Sequence, residues 1–153
     1  MGWEGHGKRA RTGLGLESRE SYLWRLLSLV FLNYGLLKMQ DVTSLHHEAM
    51  EWMDRAVLAR RQGDRDSMLQ CTKTSFSKER SAADLVAPQF DLEPTRSVLH
   101  RSAAVLAIEC GLLREAEQLI GRALSGNPPN DIANELRDLL MDEVYSQRHS
   151  IES

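Results

Sequence analysis

Along most of this chain, apolar residues recur at steps of three and four, the period of an α-helix with one buried face. Leu45, Ala49, Trp52, Ala56 and Ala59 share such a face and predict a first good helix from about Thr43 to Gln62. Asp41, Thr43 or Ser44 can cap its start, and Gly63 suits its end as the residue after the last turn. A looser stripe of Met68, Thr72, Phe76, Ala83 and Val86 predicts a second helix, from just after Asp64 or Asp66 toward Ala87, stopped by Pro88. Pro94 suits the first turn of a third helix, whose face of Leu99, Ala103, Leu106, Ala107 and Cys110 closes at Gly111. Leu113, Ala116, Leu119, Ile120 and Ala123 make a fourth, ended by Gly126-Asn127-Pro128-Pro129. Ile132, Leu136, Leu139, Leu140 and Val144 predict a fifth from about Asn130 to Ser146, with a frayed tail from Gln147. No segment alternates with period two, so no sheet is expected.

The first forty residues differ in kind. Met1 to Ser18 is Gly-rich and basic, with no apolar period, and is expected to be disordered. Residues 22–37 are strongly apolar. A secretory signal would need a small-x-small cleavage site, which is missing. A membrane span would need about 18 clean apolar residues, and this run is broken by Arg25 and Asn33. The favoured reading is a helix lying on the domain, or an extension outside the native fold with Met39 as the natural start. If ordered, its Leu/Phe/Trp face must be covered by the domain or by a partner. The expected organisation is therefore 1–38 as this start, 39–147 as a helical domain and 148–153 as tail.

The domain contains an echo. Ala56-Val57-Leu58-Ala59 followed by Gly63 recurs as Ala104-Val105-Leu106-Ala107 followed by Gly111, 48 positions later. Repetition at this scale marks stacked helical hairpins. Helices three and four resemble a tetratricopeptide repeat over about residues 97–130. Counted from Gly111, the positions Ala116, Ile120, Ala123 and Pro128 fall at that family's offsets. Ala103, Ala104 and Ala107 keep only the smallness of the family's Leu, Gly and Tyr. Over 49–63 the resemblance is partial: Trp52 stands eleven before Gly63, as the family's Trp stands before its turn glycine. The spacing of 48 departs from the family's 34, and Met68, Thr72 and Ser75 match its second helix poorly. The resemblance implies an all-α, right-handed stack of antiparallel hairpins, about five helices with the last as a cap. It also implies a concave surface, lined by first helices, that binds extended peptides.

Composition narrows the function without naming it. The 153 residues are 42% hydrophobic and 27% charged, ordinary for one soluble domain with a real core. The net charge of −3 conceals a division. Residues 1–38 hold six Lys/Arg against three Asp/Glu (+3), and residues 39–153 thirteen against nineteen (−6). A mildly acidic folded part argues against nucleic acid. Cys71 and Cys110 sit in no ligand cluster and read as free thiols in a reducing compartment, the cytoplasm by default.

Candidate chemistry is sparse. His47 and Glu51 are one helical turn apart and could share a metal, but a zinc-protease helix needs two His at that spacing. A solvated helix start is the plainer reading. No Ser/His/Asp set sits in a nucleophile turn, and the glycines of residues 2–15 lack the Lys-Ser/Thr ending of a phosphate loop. No catalytic, cofactor or metal residue is expected. The charged residues around the second linker are better candidates. Lys78 and Arg80 precede it; Arg96, His100 and Arg101 follow it. They could contact a partner, with Arg96, His100 and Arg101 orienting an acidic or carboxylate group. Alternatively they pair across the hairpins and fix their packing, or form a solvated face.

The expected function is a non-catalytic adaptor that binds a protein or peptide segment, or itself, in a shallow groove. Two alternatives are a structural homodimer, formed through helix five or the 22–37 segment, and a metal-dependent helical-bundle enzyme.

Overall fold

A computed structural model describes residues 19–152, with side chains from 25 to 151. The expectation of a disordered Met1 to Ser18 lies outside the described residues. Every regular element among those described is helical: α1 (Arg19–Arg61), α2 (Arg65–Val86), α3 (Thr95–Glu109), α4 (Leu113–Leu124), α5 (Asn130–Asp138), a π-helical segment (Leu139–Tyr145) and α6 (Ser146–Glu152). Leu139 and Ser146 both keep right-handed helical angles, so α5, the π segment and α6 form one continuous helical stretch. The chain is thus all-α, as its periodicity implies.

Two boundaries differ from expectation. The first helix begins at Arg19 rather than near Thr43, because nothing between them breaks a helix: Gly35 is the one glycine, and no proline intervenes. The final stretch stays helical to Glu152 instead of fraying at Gln147. Arg148 there is tied to Glu117 of α4 at 2.7 Å.

The chain divides into two compact units, Met1–Gly35 and Leu36–Ser153. In the described part of the first, Leu26, Leu29, Val30, Phe31 and Leu32 are exposed. No helix among the described residues is long and apolar enough to cross a membrane.

The second unit holds the core. Its centre is crowded with small residues: Ala49, Ala82, Ala83, Ala103, Ala104, Ala107, Ala116 and Ala123 are all fully buried. Alanines at facing positions let helix backbones approach closely, which in turn brings side chains within reach of a neighbour's main chain. Ser75 shows this, its hydroxyl donating to the Ala49 carbonyl of α1 at 2.8 Å. Leu99, Leu119, Ile120, Leu136 and Val144 fill the volume between the small positions.

The sequence echo corresponds to two identical helix endings. Gly63 and Gly111 take φ of +76° and +73°. Around the first, Gly63 N–H donates to Arg60 O at 3.1 Å and Asp64 N–H to Ala59 O at 3.0 Å. Around the second, Gly111 donates to Ile108 at 2.9 Å and Leu112 to Ala107 at 2.8 Å. This is the Schellman pattern, in which the N–H of a left-handed residue and that of the residue after it satisfy the helix's last carbonyls. Asp64 then starts α2 by accepting from Ser67 N at 3.0 Å and from its hydroxyl at 2.7 Å. Those bonds to the charged form hold its carboxyl below the usual range.

Candidate functional site

The five charged candidates do not form one surface. Each is drawn to a different neighbour. Lys78 pairs with Glu48 of α1 at 2.7 Å. Arg80 binds Glu115 of α4, with Asp84 of its own helix at 3.7 Å. Arg101 binds Glu135 of α5. These are half-exposed links between helices, so the three side chains pair across the hairpins.

Arg96 and His100 depart from the expectation of a partner contact, because both are interior. Arg96 is 2% exposed. Its Nε donates to the Ala87 carbonyl at 2.9 Å and its Nη2 to the Arg122 carbonyl at 2.7 Å. Nη1 lies 3.4 Å from both Ala123 O and Glu93 Oε1. Ala87 closes α2, and Arg122 and Ala123 lie in the last turn of α4, where carbonyls lack helical partners and carry partial negative charge. One guanidinium therefore finishes two helices. The Phe90 ring covers it from the linker, with its centroid 4.5 Å from Cζ. Glu93 also replaces a capping residue at the start of α3, accepting from Ser97 N at 3.1 Å through its other oxygen.

His100 follows one turn later. Its Nδ1 lies 2.7 Å from the Arg96 carbonyl. A carbonyl only accepts, so Nδ1 carries the proton and the buried, unpartnered Nε2 is bare. Burial pushes the imidazole's pKa down, and the charges of Arg96 and Arg122 add to that.

A second polar cluster joins α1, α2 and α3. Glu79 is fully buried, and its carboxylate meets His46 Nδ1 at 2.8 and 3.1 Å. Ser102 of α3 stands beside it and favours its charged form. Burial pushes the Glu79 pKa up, while the bond and charge of His46 pull it back. In a catalytic triad the hydroxyl meets the imidazole nitrogen that the carboxylate leaves free. Here the hydroxyl and the imidazole both address the carboxylate. The neighbouring His47 forms the expected one-turn pair with Glu51, exposed and 3.4 Å apart. Among the described residues no three His, Cys, Asp or Glu gather to hold a metal ion. Cys71 and Cys110 are free; burial and the nearby Glu109 charge push the Cys110 thiol up, which disfavours a reactive thiolate.

A well-formed concavity lies elsewhere. A groove of about 670 Å³ runs between α1, α3 and the last helical stretch, a volume within the usual range for ligand sites. Met50 and Met53 of α1, Val105 and Leu106 of α3, and Leu139 form its apolar floor, with Ser102 beside them. Arg101 is the one expected site residue that lines it. The π-helical segment supplies part of its wall, and such segments are frequent at functional sites.

No family model matches the chain, and no curated protein or solved structure matches it.

The burial of Arg96 and His100 had a sequence signal. They stand at the three- and four-residue steps of Leu99, Ala103 and Ala107, the core face of α3. The groove had one too, since Glu135, Asp138, Leu139 and Asp142 recur at helical spacing.

Proposed function

We propose that this chain is a non-catalytic adaptor, a tetratricopeptide-like stack of α-hairpins with its last helical stretch as a cap, which holds a peptide segment of another protein. The observation that carries this reading is the groove beside Met50 and Val105. It is open, apolar at its base, and set between rigid helices. Partly exposed methionines on a binding floor adapt to differing side chains. Two helix ends of the same design support the hairpin reading, as do the alanines at helix contacts. A non-catalytic role is supported by the order of the Ser102, Glu79 and His46 contacts, which leaves no activated hydroxyl.

The test is selection from a random peptide library displayed against the full chain, followed by binding of the enriched peptides to Met50→Asn and Val105→Asn variants. Both positions are partly exposed, so the fold survives the change. Loss of binding in both variants is expected. Peptides that bind the variants as well as the original chain would remove the groove from the reading.

A second reading, the structural homodimer, is favoured by the exposure of Leu26, Leu29, Val30 and Phe31. Light scattering of the full chain over a concentration series tests it, and a monomer throughout would end it.

A further inference from the structure

The groove has a sign as well as a shape. Its apolar floor is bordered by five carboxylates: Glu109 at the end of α3, Glu135 and Asp138 of α5, and Asp142 and Glu143 of the π segment. Arg101 is the single cation among the lining residues, and it is already bonded to Glu135. Glu143 accepts from the Gln147 amide at 3.2 Å, a neutral donor. Among the described residues, Glu109, Asp138 and Asp142 have no cationic partner, and all three are exposed. Carboxylates gathered beside an apolar surface raise a local negative potential that a cationic occupant would relieve. A single metal ion does not match this arrangement, because no three ligating groups converge. The charges are instead spread along the rim, and the floor between them is apolar. The complement is an extended occupant carrying several positive charges together with large apolar side chains.

We infer that the groove docks a cationic amphipathic peptide segment of a partner protein. Its apolar side chains lie on Met50, Met53 and Val105, and its Lys or Arg residues face Glu109, Asp138 and Asp142. This rests on the adaptor reading and goes beyond it by fixing the partner's chemistry. The sign is opposite to that of the acidic or carboxylate group which the sequence places against Arg96, His100 and Arg101. Rim charges act chiefly on the rate of association and on specificity, and their effect weakens with salt.

The probes are three labelled synthetic helices with identical Leu spacing, whose polar positions are all Lys, all Gln or all Glu. Each is titrated with the full chain and with the triple variant Glu109→Gln, Asp138→Asn, Asp142→Asn, and followed by fluorescence anisotropy at low and physiological salt. Circular dichroism checks that the variant is folded. The Lys helix is expected to bind and the Glu helix to fail. The triple variant should weaken the Lys helix by about tenfold, in line with the loss of a few partly exposed charge contacts. Raising the salt should weaken binding to the original chain more than to the variant. Equal binding of the Lys helix to chain and variant would overturn the inference. So would equal binding of all three helices to the original chain; if Val105→Asn then weakens them alike, the adaptor reading survives without the charge. Failure of all three helices to bind, with no groove-dependent peptide from the library, defeats both. A dimer on light scattering that the triple variant dissociates would also overturn the inference, since the occupant would then be a second copy.

Discussion

Replacing Arg96 by Met removes a charge and five N–H donors while keeping an unbranched side chain of similar reach. In the folded chain the donors reach the Ala87 and Arg122 carbonyls at 2.9 and 2.7 Å, with Ala123 O and Glu93 at 3.4 Å. A hydrogen bond involving a charged group contributes about 1.5–3 kcal/mol. Simple addition overstates the loss, because removing Arg96 also removes the cost of burying its charge. The groups left behind decide the outcome. Glu93, only 12% exposed, loses its cation, and the Ala87 carbonyl loses its bond from Nε, whereas the Arg122 and Ala123 carbonyls keep Ser125 Oγ at 2.7 Å and Gly126 N at 3.2 Å. Breaking a buried pair by deleting one member costs about 3–5 kcal/mol. For a chain of this size, at about 4 °C per kcal/mol, the midpoint of thermal unfolding should fall by about 12–20 °C. Urea and thermal unfolding of the full chain, followed by circular dichroism, measure this directly. Arg101→Met is the control. Its pair with Glu135 is 28% and 53% exposed, which places the loss at about 0–1 kcal/mol. A loss below about 1 kcal/mol for R96M, or one equal to that of R101M, would refute the double-cap role, because an exposed pair alone reaches that value.

A Cβ at Gly126 would stand 2.8 Å from Glu93 Oε1 and closer still to the Arg96 guanidinium, so Gly126→Ala should cost about 1–3 kcal/mol in urea unfolding. Gly121, inside α4, has open space, and Gly121→Ala should stabilise by about 0.5–1 kcal/mol; two changes of the same sign would contradict the packing described. His100 has its pKa held below 6.5 by burial and by the charges of Arg96 and Arg122, against the bond to the Arg96 carbonyl and the charge of Asp84, which pull it up. The unfolded chain therefore takes up its proton first. Stability from this group is whole above pH 6.5 and is lost as pH falls through the lowered folded value. The urea midpoint of His100→Gln should fall less steeply below pH 6.5 than that of the original chain, and parallel curves would show that His100 does not titrate this way.

The helices were legible where apolar steps ran between strong stops. Residues from Gly63 to Gly126 combine glycines, prolines and clear faces, and their helices end within a residue or two of expectation. Gly63 and Gly111 announced the two left-handed endings because few other residues take that backbone at low cost. The start of α1 was not legible, since its upstream apolar run lacks a stop and a single face. The π segment was not legible either, because Leu139, Leu140 and Val144 suit an ordinary helix equally well. At the site, charge misled. Arg96 and Arg101 look alike in sequence, yet one shares the face of Leu99 and Ala103 and the other stands beside it. The face of α3 marked Arg96 as interior, but the carbonyls at the ends of α2 and α4 that accept from it come together only in three dimensions.

The π-helical turn makes the spacing of the last helical stretch matter more than its composition. Its wider hydrogen bonding accommodates an additional residue per turn, so Arg148 and the residues after it are set out of step with α5. Losing one residue within Leu139–Tyr145 would let the segment wind as an ordinary helix with the residues after it close to their present phase, because the wide turn holds about one residue more than an α turn. Arg148 would stay on the side of Glu117. Gaining one residue there would instead swing everything downstream by about 100° and turn Arg148 away. The segment therefore absorbs the loss of a residue and resists the gain of one.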